Sequence, residues 1–196
     1  MASSPRRIVL ATGNPGKLVE IRELLDGRDI EIVAQSEFDF SPAEETGATF
    51  LENALLKARR AAAETGLIAI ADDSGLVVDA LDGKPGVFSA RFAGEGATDE
   101  ENVAKLLKSL EGVEQRGASF RCVAVVVFPN ENRAPLVSEG EWRGSISKLR
   151  HGEGGFGYDP VFFDIELGKC AAEMTAEEKN ARSHRGGAFR GLVDAF

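Results

Sequence analysis

The chain has 196 residues, of which 43% are hydrophobic and 28% charged, and its formal net charge at pH 7 is −9. This length and composition are typical of a globular protein with one sizeable core, so we expect a single domain over residues 1–196. The negative charge argues against a protein that coats nucleic acid, which requires a basic surface. It remains compatible with a small anionic ligand that is bound by a few local cations.

Neither a membrane span nor an export signal is predicted. No apolar run of the sequence reaches the roughly 18 residues that cross a bilayer, and residues 1–7 lack the long apolar region of a signal peptide. Cys122 and Cys170 stand far apart and match no metal-ligand spacing, which favours free thiols in a reducing compartment. We therefore expect a cytoplasmic protein that binds neither membrane nor nucleic acid.

A strand, a short turn and a helix are predicted near the start of the chain. Residues 8–11 have the composition of a buried strand, and the apolar spacing of residues 18–25 predicts a helix. The turn Thr12-Gly13-Asn14-Pro15-Gly16-Lys17 lies between them, where unpaired helix amides and the helix dipole favour an anion. The spacing is not that of a Walker A loop. With the charge of Lys17, the residue types favour a phosphate site over an ordinary strand-to-helix turn.

A loop with two acids, Glu44 and Glu45, precedes the next predicted helix. Thr49 and Glu52 form a capping box that opens this helix, whose apolar face consists mainly of small residues. Lys57 falls one position away from that face. Taken alone, such a lysine is more often solvated than functional.

Two adjacent acids lie between two short apolar runs. Residues 68–71 and 76–79 predict buried strands, and Asp72-Asp73-Ser74-Gly75 between them has turn chemistry. Because side chains alternate along a strand, Asp72 and Asp73 cannot face the same way, so one is expected to be tied into the fold while the other faces a site. An Asx turn that caps the strand is the alternative, but it needs only one such residue.

The second half of the chain contains a predicted hairpin and a glycine-rich loop. Apolar runs at residues 120–128 and 136–142 flank the turn 129–132, which predicts an antiparallel pair of strands. Residues 152–160 contain four glycines in six positions together with Phe156 and Tyr158, so the backbone of this loop can approach a ligand closely. The rings either stack on a nucleobase or pin the loop to the core, and the residues alone leave both readings open.

Two further capping boxes, at residues 98–101 and 175–178, open helices. The second helix is predicted to carry Lys179, His184 and Arg185 and to break at Gly186-Gly187. Basic residues near a helix C-terminus are favourable through the helix dipole alone. A purely structural role for them is therefore the alternative.

Taken together, these stretches closely resemble the inosine triphosphate pyrophosphatase family, which hydrolyses non-canonical purine nucleoside triphosphates. The matching motifs occur in the family's order and cover nearly the whole chain from residue 8: Thr12-Gly13-Asn14-x-x-Lys17, Glu44-Glu45-Thr46-Gly47 with Phe50 and Glu52-Asn53-Ala54, Ala71-Asp72-Asp73-Ser74-Gly75-Leu76, Pro85-Gly86-x-x-Ser89-Ala90-Arg91, Gly155-Phe156-Gly157-Tyr158-Asp159-Pro160, and Lys179-Asn180-x-x-Ser183-His184-Arg185. The chain departs from the family at Leu149-Arg150-His151, where a Pro-Arg pair is usual. None of the inferred site residues lies in that departure.

The resemblance implies a mixed α/β protein, with two lobes around a long curved sheet and a nucleotide cleft between them, that forms a homodimer. The implied reaction is Mg²⁺-dependent hydrolysis of ITP, dITP or XTP to the nucleoside monophosphate and pyrophosphate. The implied catalytic base is Asp73, which with Glu44 would also hold the metal. The implied substrate-binding residues are Thr12, Gly13, Asn14, Pro15, Gly16, Lys17, Lys57, Ser74, Phe156, Gly157, Tyr158, Asp159, Lys179, His184 and Arg185.

The implied site is consistent with elementary chemistry. The triphosphate charges would be matched by Lys17, Lys57, Lys179 and Arg185, and Mg²⁺ prefers one or two carboxylates together with phosphates and water. Phe156 would stack on the base. His184 and Arg185 would donate hydrogen bonds to the 6-oxygen of hypoxanthine or xanthine, whereas the amino group of adenine at that position is itself a donor.

Two alternatives stay open at this point. A pyrophosphatase of the Maf type shares the general fold and would prefer pyrimidine or modified nucleotides, but His184-Arg185 and the glycine loop argue against it. A nucleotide sensor without catalytic activity would keep Lys17 and the glycine loop but would not need Asp73. Pyrophosphate release from a panel of nucleotides separates these alternatives.

Overall fold

The computed structural model describes residues 5–130 and 132–193 and confirms the α/β class. The described residues form a seven-stranded mixed sheet in the order β2-β1-β3-β4-β5-β6-β7. The strands and helices are β1 (Arg6–Leu10), α1 (Pro15–Leu24), β2 (Ile30–Ala34), α2 (Phe50–Thr65), β3 (Ile68–Val78), α3 (Asp99–Ser109), β4 (Gly117–Val127), β5 (Leu136–Ile146), β6 (Phe162–Asp164), β7 (Lys169–Cys170), α4 (Ala176–Arg182) and α5 (His184–Val193). Within the described part of the chain, no helix combines the length and the apolar character needed to cross a bilayer.

The described residues group into two compact units. The first comprises residues within 5–73, 122–139 and 185–193, and the second comprises residues 74–121 and 140–184. Strands β3, β4 and β5 each contribute residues to both units. The single domain over residues 1–196 stays a prediction.

In the first unit, β1 runs parallel to both of its neighbours, β2 and β3. Leu10 pairs with Ala34 on one side and with Ile70 on the other. The predicted small-residue face of α2 is confirmed, since Ala54 and Ala58 are fully buried in a cluster with apolar residues of β1 and β4. Small side chains allow this helix to pack closely on the sheet.

Helix α1 begins three residues earlier than the apolar spacing predicted, at Pro15. The side chain of Asn14 caps the helix by accepting a hydrogen bond from the Lys17 amide, and proline suits the first helical position because its missing N–H is not needed there. Capping chemistry therefore sets this boundary, and it brings Pro15, Gly16 and Lys17 into the first helical turn.

The structure corrects the prediction of a turn at Ser74-Gly75. Strand β3 runs without interruption from Ile68 to Val78, and Asp72 and Asp73 lie inside it. The turn preference of these residues is outweighed because both carboxylates pair with lysines in the folded chain, so neither has to reach water.

The second unit has an aromatic core. Phe120, Trp142 and Phe162 pack together, with ring centroids 4.5 Å apart for Phe120 and Phe162 and 4.8 Å apart for Trp142 and Phe162. The indole Nε1 of Trp142 donates to Asp164 at 2.8 Å, and Arg182 pairs with the same carboxylate. These contacts satisfy the polar groups that an aromatic core buries.

The predicted antiparallel hairpin is confirmed for β4 and β5. These strands are neighbours in the sheet, and the amide at the end of β5, Ile146, donates to the carbonyl of Arg116 at the start of β4. Both strands are longer than the apolar runs indicated. Of the predicted turn 129–132, Glu131 lies outside the described residues, as do residues 1–4 of the N-terminal segment.

The predicted basic helix is in fact two helices. Helix α4 ends at Arg182, Ser183 is extended, and α5 begins at His184 and contains Gly186-Gly187. The glycines do not end α5 because Phe189 and Leu192 bury its apolar face, and tertiary packing outweighs the weak helix propensity of glycine.

Candidate active site

The turn after β1 is shaped by its own side chains. The Asn14 amide donates to Thr12 Oγ1 at 3.1 Å, and the Lys17 amide donates to Asn14 Oδ1 at 3.1 Å. These bonds hold the predicted phosphate turn, which also contains Gly13, Pro15 and Gly16, against the N-terminus of α1. The arrangement is suited to an anion because the first helical turn carries unpaired amides.

Asp72 is surrounded by positive charge. Its Oδ2 lies 2.9 Å from Lys17 Nζ and 3.4 Å from Arg185 Nε, and the Asp72 residue is only 1% exposed. Arg185 also donates through Nη1 to Glu20. Burial would raise the pKa of Asp72, but the charges of Lys17 and Arg185 outweigh it and hold that pKa well below its ordinary value. Asp72 is therefore an ionised anchor for two cations.

Asp73 lies in a different environment. Its Oδ1 accepts from Lys57 Nζ at 3.2 Å, and its Oδ2 accepts from Asn53 Nδ2 at 3.2 Å. Burial raises the pKa of Asp73, and the nearby charge of Glu45 raises it further, against the opposing effect of Lys57 and Lys17. The different partners of Asp72 and Asp73 agree with the predicted alternation along the strand, and a more basic carboxylate is better suited to accept a proton.

Lys57 is not a solvated lysine. Its Nζ bridges Asp73 and Glu45, at 2.7 Å from Glu45 Oε1. Burial would lower the pKa of Lys57, but the charges of Asp73, Asp72 and Glu45 raise it overall. Lys57 therefore stays a cation beside the two carboxylates.

Glu45, rather than Glu44, contacts the Lys57–Asp73 pair among the described residues, and the Glu44 residue is exposed. Asn53 is a further residue that the sequence reasoning did not single out. Its Oδ1 accepts from the Gly47 amide at 2.7 Å, so Asn53 connects the acidic loop to Asp73. Gly47 allows this approach because a Cβ at that position would lie 2.7 Å from Asn53 Oδ1. The signal available in the sequence was the Glu52-Asn53-Ala54 motif.

The donor set at Asp73 is suited to Mg²⁺ when phosphate oxygens are present. The described residues contain no group of three His, Cys, Asp or Glu that could hold a metal on its own. Mg²⁺, however, needs only one or two carboxylates beside phosphate and water. The Lys57 ammonium between Asp73 and Glu45 shows that these two carboxylates reach a common cation.

The glycine loop of the second unit is organised around Asp159. Asp159 Oδ2 accepts from the Phe156 amide at 2.9 Å and from Lys179 Nζ at 2.6 Å, and that same ammonium lies 4.7 Å from the centroid of the Phe156 ring. Gly155 has a φ of +72°, and a Cβ there would lie 2.1 Å from Asp159 Oδ2. A glycine is therefore required for this loop to close on the carboxylate.

The reading in which a ring pins the loop to the core applies to Tyr158, and stacking of Phe156 on a nucleobase stays a prediction. Tyr158 is buried, and its hydroxyl donates to the carbonyl of Ser89 at 2.8 Å, so this ring pins the loop to the core. Phe156 is half-buried beside Lys179.

The imidazole of His184 stacks on Phe120 with ring centroids 4.8 Å apart and an interplanar angle of 11°. Of the other predicted site residues, Ser74 follows Asp73 on β3 and is half-buried, and Gly157 lies in the loop.

The fold defines a mixed-sheet α/β protein in which acidic and basic side chains meet on one strand. The comparisons with known proteins agree with the predicted resemblance. The model of the Ham1 family matches residues 8–195, and the chain therefore belongs to this family.

Curated relatives and solved structures match along nearly their whole length. A dITP/XTP pyrophosphatase of Pectobacterium atrosepticum is 57% identical over 193 residues, which is 97% of this chain and 98% of that protein. A HAM1 protein from Coxiella burnetii is 49% identical, with a TM-score of 0.88 over 97% of this chain and 98% of the other. The Ham1 protein of Staphylococcus aureus is 42% identical, with a TM-score of 0.84 over 95% and 96%.

The Asp72→Asn substitution is expected to destabilise the fold by about 3–5 kcal/mol at pH 7, because it leaves the buried Arg185 and the half-buried Lys17 beside a neutral group. Urea unfolding measures this loss, and Asp26→Asn at an exposed position is the control. The folded pKa of Asp72 is depressed, so its contribution is present above the unfolded pKa of about 3.9 and is lost as the pH falls below it. The difference from wild type should therefore shrink towards pH 3. A loss below about 1 kcal/mol at pH 7 would contradict the anchoring role.

Proposed function

We propose that this chain is a nucleoside triphosphate pyrophosphatase that hydrolyses the non-canonical purine nucleotides dITP, XTP and ITP and so keeps them out of DNA and RNA. The products are the nucleoside monophosphate and pyrophosphate. The observation that carries the proposal is the set of cations around Asp72 and Asp73, supplied by Lys17, Lys57 and Arg185. The name of the Pectobacterium relative supports the substrate class.

In this proposal, the turn from Thr12 to Lys17 and the ammonium of Lys57 bind the phosphates. Phosphoryl transfer depends mainly on positioning and charge neutralisation, so the proposal requires no nucleophilic serine or cysteine. The thiol nearest these charges, Cys122, is buried, and burial raises its pKa far above its ordinary value, which makes it unsuitable as a nucleophile. Attack by water is therefore the chemistry that these residues favour.

Asp73 is proposed to accept the proton of the attacking water. As the water oxygen forms its bond to phosphorus, the proton passes to an Asp73 carboxylate oxygen and the bond between the α- and β-phosphates breaks, which releases pyrophosphate. Lys57 and Asn53 orient that carboxylate. Asp73 together with Glu44 or Glu45 would hold Mg²⁺, which when bound supplies charge stabilisation to the phosphate oxygens. Glu45 is favoured because it shares Lys57 with Asp73.

The glycine loop is proposed to bind the base together with His184 and Arg185. Phe156 stacks on the purine ring, and the remainder of the loop, Gly157 to Asp159, surrounds it. Lys179, which the resemblance assigns to the phosphates, contacts both Asp159 and the Phe156 ring, and we propose that it supports this ring. His184 and Arg185 donate to the 6-oxygen of hypoxanthine or xanthine, where adenine presents a donor that cannot accept a hydrogen bond.

Pyrophosphate release from dITP, XTP, ITP, dATP, dTTP and UTP tests the function. We expect kcat/KM for the three non-canonical purines to exceed that for dATP and for both pyrimidine nucleotides. A preference for dTTP or UTP would favour the Maf-type alternative, and binding without pyrophosphate release would favour a sensor.

The Asp73→Asn substitution is expected to keep the fold and nucleotide binding but to lower kcat by about 10²–10⁴-fold, because it removes the proton acceptor. Steady-state kinetics with dITP measures the loss, and thermal unfolding together with equilibrium binding checks the fold and the affinity. Turnover within a few-fold of wild type would remove Asp73 from the chemistry.

The Arg185→Lys substitution tests base selection, since lysine keeps a positive charge opposite Asp72 and Glu20 but loses the planar donor fork. We expect kcat/KM for dITP and XTP to fall by about tenfold or more, the effect of losing a charge-assisted hydrogen bond, while that for dATP barely changes. An equal loss for all three nucleotides would place Arg185 with the phosphates and not with the base.

The proposal also includes a homodimer and a cytoplasmic location. The dimer rests on the family resemblance, and sedimentation at micromolar concentration tests it. The location rests on Cys122 and Cys170, both of which are buried free thiols.

A further inference from the structure

Asp99 contacts the glycine loop, although it lies outside every motif used for the proposed function. Its Oδ2 accepts a hydrogen bond from the Gly157 amide at 2.6 Å, across 58 positions of sequence. Gly157 has a φ of +62°, a conformation that favours glycine. Asp99 thus fixes the backbone immediately after Phe156.

Helix α3 does not need Asp99 as a cap. The Glu101 amide donates to Thr98 Oγ1 at 3.2 Å, and the Thr98 amide donates to Glu101 Oε2 at 2.8 Å, which completes the capping box. Asp99, the first residue of the helix, directs its carboxylate to the loop instead. A carboxylate acceptor makes this hydrogen bond stronger than a neutral one.

A second residue on the same face of α3, Asn102, also supports the glycine loop. Asn102 lies one turn after Asp99 and is 2% exposed. Its Nδ2 donates to the Ala90 carbonyl at 3.1 Å, and its Oδ1 accepts from the Ala93 amide at 2.7 Å. The segment that Asn102 holds begins next to Ser89, whose carbonyl accepts from the Tyr158 hydroxyl at 2.8 Å. Gly157 is therefore tied to α3 directly, and Tyr158 is tied to it through this segment.

These contacts place Phe156 between two fixed points. Its own amide donates to Asp159, and the next amide along the chain, that of Gly157, donates to Asp99. Lys179 lies over the ring and is held by Asp159 as well. Loss of either fixed point would let the ring sample positions in which stacking on a purine is lost.

We propose that Asp99 is a positioning residue for purine binding, which acts through the Gly157 amide to hold the Phe156 ring. This inference rests on the proposed function, in which Phe156 stacks on the base. Because Asp99 takes no part in the reaction at the phosphates, its loss should change substrate binding and leave the chemical step nearly unchanged.

The test is the steady-state kinetics of the full-length Asp99→Ala protein with dITP. We expect KM to rise about tenfold, the lower end of the effect of a hydrogen bond to a charged group, with kcat within twofold of wild type. Asp99→Asn retains an acceptor oxygen, so it should recover most of the wild-type KM. Glu100→Ala is the matched control, because Glu100 is an exposed acid in the same helical turn and contributes equally to the helix dipole.

A Phe156→Ala variant separates failure of this inference from failure of the proposed function. If Phe156→Ala raises KM and Asp99→Ala does not, the role of Asp99 is overturned, whereas the proposed stacking of Phe156 on the base is retained. If Phe156→Ala leaves KM unchanged, the stacking role fails, and the inference about Asp99 fails with it. Equal changes in KM and in melting temperature for Asp99→Ala and Glu100→Ala would reduce Asp99 to an ordinary helix-terminal acid and would also overturn the inference.

Discussion

The burial of two adjacent carboxylates on one strand is the constraint on which the site depends. Asp72 is 1% exposed and Asp73 is 6% exposed, in a chain whose net charge is already −9. An unpaired buried carboxylate costs several kcal/mol. The fold meets this cost with cations from three helices, since α1 supplies Lys17, α2 supplies Lys57 and α5 supplies Arg185. Lys17, Lys57 and Arg185, which the proposed function assigns to the substrate, are thereby gathered where the protein needs them for its own stability.

The pKa values of these two acids are shifted in opposite directions. Burial acts on both and raises both values. The two cations beside Asp72 more than reverse that effect, whereas Asp73 has an amide and a shared lysine and keeps a raised pKa. Neighbouring carboxylates with divergent pKa values are a common basis for dividing structural and catalytic roles. The alternation of side chains along β3 makes this division possible, because it presents each acid to a different helix.

The glycine loop of the second unit is held through its backbone. Its glycine loop is shaped by hydrogen bonds from the amides of Phe156 and Gly157 to carboxylates, and the hydroxyl of Tyr158 binds a backbone carbonyl. Gly155 is required because a Cβ would collide with Asp159. A loop built in this way is fixed without being part of a helix or strand, as the proposed stacking on a purine base requires.

The sequence alone was sufficient for the α/β class, for the capping boxes that open α2, α3 and α4, and for the family, because local hydrogen bonding and ordered motifs are written in neighbouring residues. Tertiary structure decided the rest. It made β3 continuous through Asp72 and Asp73, it carried α5 through Gly186-Gly187, and it placed Glu45 rather than Glu44 on Lys57. Each of these outcomes depends on partners distant in the chain, whose charge or apolar surface outweighs local preference once the fold brings them together.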